Sequence, residues 1–194
     1  MKKTIVALLS LCLLWGCSSK QPTPTETAVA TYENSVKLET TPFDASEYTF
    51  FKEGSDIAIE KISFDDGLRM FAEKGTGIIV WGYANCPYCQ RALPVLNDAA
   101  LSQGVPVYYV DIYGEEISDE QFNALIKNLE AILKVVDGEP VMYVPEVVAL
   151  KDGQIVGNHL SLVDSFDGST QTEMTDEQKT ELQNIYIDLI KKLY

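Results

Sequence analysis

Apolar positions downstream of residue 56 follow two spacings, one typical of strands and one typical of helices. Apolar residues that alternate with polar ones, or that run on continuously for about five positions, predict strands. The expected strands are residues 57–62, 78–83, 105–110, 146–150 and 154–157. Lys151, Asp152 and Gly153 form the hairpin turn expected between the last two strands.

Apolar residues that recur every three to four positions predict helices, most of them after a Ser or Thr able to cap the first turn. The first helix follows Ser63 and places Leu68, Phe71 and Ala72 on its apolar face. The others are residues 90–101, a helix from Ser118 to Gly138 and a helix after Thr175. The apolar face of the helix after Ser118 would hold Phe122, Leu125, Ile126, Leu129, Ile132, Leu133 and Val136. Strands and helices in this order predict an α/β domain, with a central mixed β-sheet and helices on both faces.

The chain before this domain divides into three segments. Lys2 and Lys3 precede a short apolar run that ends at Trp15, which is typical of a signal peptide and too short for a transmembrane helix. A stretch rich in Ser, Thr and Pro follows, as expected of a flexible tether. We therefore divide the chain into a signal peptide (1–16), a tether (17–31), an N-terminal extension with several aromatic residues (32–54) and the domain (55–194).

The segment Leu14-Trp15-Gly16-Cys17 resembles the lipobox of bacterial lipoproteins. The resemblance implies cleavage before Cys17 and a lipid on its thiol, so the protein would be extracytoplasmic and anchored to the bacterial cell membrane. Trp15 departs from the small residue usual at that position. A plain signal peptide cut nearby and an uncleaved anchor are the alternatives.

The chain carries 15 basic and 29 acidic residues, a formal net charge of −14. A surface of that sign argues against nucleic acid as a partner and against a polybasic contact with the membrane. Membrane attachment would therefore depend on the lipid.

The candidate chemistry is the motif Cys86-Pro87-Tyr88-Cys89, between an apolar strand and a predicted helix. Two thiols at this spacing can close and reopen a disulfide, and the positive end of a helix favours a thiolate on the first. If Cys12 leaves with the signal peptide and Cys17 is acylated, the two cysteines have only each other or another protein to pair with. The motif thus predicts a redox-active disulfide that needs no other cofactor.

A zinc site is the competing interpretation of the motif. Structural zinc needs four ligands, whereas this chain offers one cysteine pair and a single histidine, His159. A lone histidine after a hairpin strand is more often a surface or core residue than a ligand. We therefore expect no metal site.

Together, these features resemble the thioredoxin superfamily. The strand runs into C-x-x-C, Pro94 lies five residues after the second cysteine, and Val144-Pro145 precedes a hairpin. The motif followed by Gln90-Arg91-Ala92 is similar to glutaredoxins. The segment Glu60 to Ser63, together with the motif, is similar to the thioredoxin-like bacteriocin transport accessory proteins.

The resemblance implies a role for each site residue. Cys86 would be the exposed, reactive sulfur with a lowered pKa, and Cys89 the shielded, resolving thiol. Pro87 and Tyr88 would set the potential, while Val144 and a cis Pro145 would bind an extended substrate segment. Pro145 could instead simply begin an edge strand.

The chain also departs from thioredoxin. Val80 stands where thioredoxin keeps a buried aspartate, six residues before the first cysteine, and we place the position of its lysine partner near Val107. A buried carboxylate helps to remove the proton of the second cysteine. Its absence suggests slower thioredoxin-type reduction or a proton path through solvent.

The expected function is thiol–disulfide exchange with exported proteins, in support of disulfide formation. The partners would be protein thiols and disulfides, with a membrane-bound redox protein to restore the pair. An extracytoplasmic reductase is one alternative, serving a methionine-sulfoxide reductase, a peroxidase or cytochrome maturation. A metal- or client-binding lipoprotein without enzymatic activity is another.

Overall fold

The structure is a computed structural model that describes residues 32–168 and 172–194. Its strands are β1 (Thr41–Pro42), β2 (Ile59–Ile62), β3 (Gly77–Gly82), β4 (Val107–Asp111), β5 (Lys134–Val136), β6 (Glu139–Val141), β7 (Glu146–Lys151) and β8 (Gln154–Leu160). Its helices are α1 (Phe64–Ala72), α2 (Pro87–Gln103), α3 (Asp119–Leu129) and α4 (Asp176–Lys191), with a short 3-10 helix at Ala45–Glu47.

Six strands form one mixed sheet in the order β1-β2-β4-β3-β7-β8. The neighbours β2, β4 and β3 are parallel, whereas β1, β7 and β8 each run antiparallel to the strand beside them. All six residues of β3 are buried, which explains its continuously apolar sequence. This central strand leads directly to the cysteine motif.

Helices cover both faces of the sheet, which confirms the expected architecture. One core lies between the sheet and α2 with α4, and it contains both cysteines of the motif. The other lies between the sheet and α1 with α3, around Trp81 and Phe64. The motif therefore lies on the α2–α4 face.

The predicted caps of three helices are confirmed. Ser63 accepts a hydrogen bond from the backbone N–H of Asp66. Ser118 and Thr175 each form a reciprocal capping box with a glutamine three residues later. These bonds satisfy N–H groups that the first helical turn leaves unpaired.

The apolar face expected for α1 is confirmed only in part, because Leu68 and Phe71 pack against the core but Ala72 does not. Phe64, Gly67 and Met70 are buried, whereas Ala72 is exposed and Leu68 and Phe71 are only half-buried. A side chain at Gly67 would place its Cβ 2.7 Å from the indole of Trp81. The helix is therefore rotated so that its glycine faces the largest buried ring.

The helix expected to reach Gly138 ends at Leu129 instead. Residues 134–141 form a hairpin of β5 and β6, separate from the main sheet. Its turn is Asp137-Gly138, both with positive φ (52° and 89°), which is the sequence and conformation that two-residue hairpin turns prefer. Phe122, expected in the core, is 42% exposed.

The N-terminal segment, residues 32–54, packs against the domain. Its strand β1 extends the sheet beside β2, and Val36, Phe43 and Tyr48 are buried. Within the two described ranges, no helix combines the length and the apolar character needed to cross a bilayer.

Candidate redox site

Cys86 is the N-cap residue of α2, at the end of the loop that leaves β3. Its Sγ accepts a hydrogen bond from the backbone N–H of Cys89, 3.2 Å away. Pro87 follows at the first helical position, where its missing N–H has no partner to lose. The helix thus begins at Pro87 rather than at residue 90, because the motif itself forms the first turn.

Both cysteines are thiols, and both are buried. Cys86 is 3% exposed and Cys89 is 0% exposed, so the expectation of an exposed Cys86 is wrong. The carbonyl oxygen of Val144 lies 3.7 Å from the Cys86 Sγ, and the hydroxyl of Tyr83 is close enough for the Cys86 charge to raise its pKa, after burial. Neighbouring groups from the loop and from the segment before β7 therefore crowd the sulfur.

The two thiols differ in acidity. The pKa of Cys86 is lowered, first by a hydrogen bond from the Cys89 thiol and, against the effect of burial, by the backbone N–H groups of Cys89 and Tyr88. The pKa of Cys89 is raised by the same thiol contact and then by burial. A negative charge on this pair consequently resides on Cys86, the sulfur at the helix N-terminus.

The peptide bond between Val144 and Pro145 is cis. Pro145 immediately precedes β7, and its carbonyl accepts a hydrogen bond from the N–H of Ser161, 2.8 Å away. The Val144 carbonyl faces Cys86. The tertiary structure thus brings together two sequence motifs that are 58 residues apart.

Pro87 and Tyr88 occupy the first turn of α2. The Pro87 carbonyl accepts a hydrogen bond from Arg91 Nη1, 2.6 Å away. The Tyr88 hydroxyl lies over the backbone of Gly168, 3.6 Å from where a Cβ would be. The Pro87 carbonyl is therefore held by Arg91, and the Tyr88 hydroxyl lies near the Gly168 backbone.

Arg91 is a residue of this site to which the sequence patterns assigned no role. Its side chain is 4% exposed and its guanidinium lies 4.9 Å from the ring centroid of Phe50 and 5.7 Å from that of Phe166. Nε donates to the carbonyl of Thr172, 2.7 Å away. An arginine four positions after Pro87 on a helix was the available signal, because that spacing lets its side chain reach back over one turn.

Glu146, the first residue of β7, was also missed. It is 1% exposed, with Oε1 accepting a hydrogen bond from Asn158 Nδ2 at 2.9 Å. Burial, partly offset by that hydrogen bond, raises the pKa of Glu146 to about 7. The signal was a glutamate at the start of an otherwise apolar strand, directly after Val144-Pro145.

Val80 pairs with a tyrosine of the neighbouring strand. In the pairing of β3 with β4, Tyr109 lies opposite Val80, and Val107 lies opposite Ile78. Tyr109 therefore lies directly beside Val80, and Val107, near which the lysine position was expected, lies two residues earlier on the same strand and in the same core.

His159 does not join Cys86 and Cys89 in a group of possible metal ligands. Its ring packs edge-on against Tyr186 at 5.8 Å, and burial lowers its pKa. Among residues 32–168 and 172–194, no three His, Cys, Asp or Glu side chains are grouped so that they could hold a metal ion. Cys17, with the rest of the signal and tether, lies outside the described residues.

No protein-family model and no curated protein matches the chain. Among solved structures it is similar to the one titled "Crystal structure of thioredoxin from Aeropyrum pernix". The two chains are 19% identical, and the similarity covers 69% of this chain and 85% of that chain, with a TM-score of 0.41. The order of its strands, the helix that begins within C-x-x-C and the cis proline before the hairpin give this chain a thioredoxin-like fold.

Proposed function

We propose that this protein is an extracytoplasmic thiol–disulfide oxidoreductase that donates the Cys86–Cys89 disulfide to exported proteins. A substrate thiolate attacks Cys86 and forms a mixed disulfide, and Cys89 leaves as a thiol after taking a proton. A second substrate thiolate then attacks the substrate sulfur of that mixed disulfide and releases Cys86 as a thiolate. The substrate gains a disulfide, loses two electrons, and leaves the protein reduced.

One observation carries this proposal: Cys86 caps α2, accepts the Cys89 N–H, and has a shielded second thiol behind it. These hydrogen bonds stabilise the Cys86 thiolate and hence the reduced pair. A stabilised reduced form makes a disulfide a stronger oxidant. The direction of transfer we propose depends on the predicted export of the protein, because disulfides form and persist outside the cytoplasm.

The backbone at Val144 and Pro145 supports a role in substrate binding. An extended substrate segment that paired with the Val144 backbone would place its sulfur close to Cys86, because the Val144 carbonyl lies 3.7 Å from that sulfur. Pro87 and Tyr88 would hold the loop in one conformation and so influence the potential.

The proposed location depends on the N-terminal sequence. A signal peptide and a lipid on Cys17 would hold the domain at the outer side of the cell membrane through a tether. A membrane-bound redox protein would then reoxidise the Cys86–Cys89 pair.

The deciding experiment is the reduction potential of the pair, equilibrated against glutathione in the full chain with Cys12→Ser and Cys17→Ser. We expect a value of about −120 to −180 mV, the range of disulfide donors. A value of about −270 mV or below would overturn the proposed direction and identify a reductase. The Cys89→Ser variant should accumulate mixed disulfides, whereas Cys86→Ser should form none.

Two further outcomes would contradict thiol exchange altogether. Stoichiometric copper or zinc in protein purified without chelator, lost in Cys86→Ser, would indicate a metal-binding protein. If a variant with both cysteines replaced worked as well as the wild type, the protein would bind clients without exchanging disulfides.

A further inference from the structure

The Cys89 sulfur and the ring of Tyr109 both lie close to the backbone of Gly82. A Cβ on Gly82 would lie 3.1 Å from Cys89 Sγ and 3.6 Å from Tyr109 Cε2. The Cys89 sulfur and the Cε2 edge of the Tyr109 ring are therefore neighbours on the same side of Gly82. Tyr109 is 3% exposed and belongs to the same core as both cysteines.

Tyr109 has a buried partner in the N-terminal segment. Its hydroxyl oxygen lies 3.0 Å from that of Tyr48, and either hydroxyl can donate in this bond. The rings meet edge to face at 6.4 Å, and Phe43 packs on both. The segment thus contributes a hydroxyl to the interior of the redox domain.

The segment is also tied to the redox helix. Gln90, the residue after Cys89, donates from Nε2 to the carbonyls of Glu47 and Ala84, at 2.8 and 2.6 Å. Its Oε1 accepts from the N–H of Thr49. One side chain therefore fixes Tyr48 relative to the cysteine motif.

The need for such a hydroxyl follows from the chemistry of Cys89. In the dithiol the Cys89 thiol shares its hydrogen bond with Cys86. That partner is lost when Cys86 is joined to a substrate, which leaves the backbone N–H groups of Tyr83 and Cys89 as donors that lower the pKa of Cys89. Burial still disfavours the charge of the Cys89 thiolate, so a further hydrogen-bond donor close to the sulfur would stabilise it.

The geometry points to the Tyr48–Tyr109 hydroxyl pair as a positioning element that stabilises the Cys89 thiolate when Cys89 resolves a mixed disulfide. This inference rests on the proposed thiol–disulfide exchange. In the arrangement in which Tyr48 donates to the oxygen of Tyr109, the Tyr109 proton is free to turn toward Cys89 once that sulfur becomes a thiolate. The N-terminal segment thereby completes the redox site.

The resolving step balances as follows. Cys89 releases its proton and its sulfur attacks Cys86 Sγ, forming the Cys86–Cys89 bond. The bond between Cys86 and the substrate breaks, and the substrate sulfur leaves as a thiolate with the electron pair. The proton passes to the leaving thiolate or to the buffer, and the tyrosines keep their own protons.

Electrostatics at the pair agrees with this geometry. The negative charge of Cys89 contributes to raising the pKa values of both Tyr48 and Tyr109, after burial. Other titratable groups around these residues are Cys86, Tyr83, Asp111, Glu47 and Tyr186, with Lys61 paired to Asp111 at 3.7 Å.

The test uses an aromatic disulfide that releases a coloured thiolate, 5,5′-dithiobis(2-nitrobenzoate), with the reduced full chain carrying Cys12→Ser and Cys17→Ser. The first phase of release reports attack by Cys86, and the second reports resolution by Cys89. We expect Tyr109→Phe to slow the second phase about tenfold and to move its pH midpoint upward, with the first phase unchanged. Tyr48→Phe should act in the same direction, and the double variant should be no slower than Tyr109→Phe.

Tyr32→Phe is the matched control. This tyrosine lies in the same segment, but its hydroxyl donates to the Pro106 carbonyl at 3.3 Å, so both phases should keep their wild-type rates. Tyr186→Phe tests the other buried hydroxyl whose pKa depends on Cys89. An unchanged second phase in both Tyr48→Phe and Tyr109→Phe, equal slowing of both phases, or slowing by Tyr186→Phe alone would overturn the inference. Absence of a first phase in the wild type would instead overturn the proposed function.

Discussion

At the scale of single residues, Glu146 is a carboxylic acid placed in an apolar interior. Its Oε2 is buried and has no hydrogen-bond partner among the described residues, and Asn158 reaches only Oε1. A buried carboxylate with half of its hydrogen bonds is less stable than the protonated acid. The folded protein therefore holds this proton more tightly than the unfolded chain does.

This difference predicts a loss of stability as the pH rises. Below about pH 4.5, Glu146 is protonated in both the folded and the unfolded protein. Between about pH 4.5 and the raised pKa of about 7 in the folded protein, only the unfolded chain releases this proton. The free energy of unfolding should fall across this window by up to roughly 3 kcal/mol. Denaturant unfolding at several pH values should show this fall in the wild type and its removal in Glu146→Gln.

Glu116→Gln is the control for that measurement, because Glu116 is exposed. It should leave the pH dependence of the wild type intact. If Glu146→Gln retained the same fall as well, the side chain would not be protonated in the folded state.

At the scale of elements, the fourth helix illustrates how local signals and packing combine. Thr175 caps α4 through the N–H of Gln178, and the Gln178 side chain accepts from the N–H of Thr175. The helix buries Leu182, Tyr186, Leu189 and Ile190 against the core that holds the cysteines. The cap of its first turn should therefore contribute to the stability of the whole α2–α4 face.

We expect Thr175→Ala to lower the free energy of unfolding by about 1 kcal/mol, because the N–H of Gln178 loses the side-chain oxygen that accepts its hydrogen bond. Thr180→Ala, on the exposed side of the same helix, should change it by no more than about 0.5 kcal/mol. Urea denaturation of both variants measures the difference. Equal losses in the two variants would show that the cap does not stabilise α4.

The third helix shows where local pattern fails. Ile132, Leu133 and Val136 continue the spacing of α3, and periodicity alone extends the helix through them. Leu133 is indeed buried, but it lies after the helix has ended, and Val135 and Val136 are exposed in the hairpin. The Asp137-Gly138 turn was the stronger signal, since both residues tolerate the positive φ that the turn requires.

At the scale of the whole molecule, the N-terminal segment is part of the folded core. Phe43 is 8% exposed, and its ring lies 5.0, 5.8 and 5.2 Å from the rings of Tyr48, Phe51 and Tyr109. The segment and the central sheet therefore share one aromatic cluster. Loss of one ring should loosen the contact between them.

We expect Phe43→Ala to lower the free energy of unfolding by about 3–5 kcal/mol, since it leaves a cavity in this cluster. Phe122→Ala makes the same chemical change at a side chain that is 42% exposed, and should cost no more than about 1 kcal/mol. Thermal or denaturant unfolding of the two variants tests the comparison. Similar losses of stability in the two variants would contradict the burial of Phe43. The rate of thiol exchange should fall in Phe43→Ala and stay unchanged in Phe122→Ala.

The sequence by itself determined the order of the five strands β2, β3, β4, β7 and β8 and of the four α-helices, three helix caps, the hairpin turn at Asp152-Gly153 and the position of the C-x-x-C motif at a strand–helix junction. Each of these depends on residues close together in the chain, so spacing and turn chemistry are sufficient. Only the tertiary structure decided that Cys86 is buried, that Tyr109 lies opposite Val80 and that Tyr48 reaches it. Those contacts depend on strand register and on packing between distant segments, which no local pattern encodes.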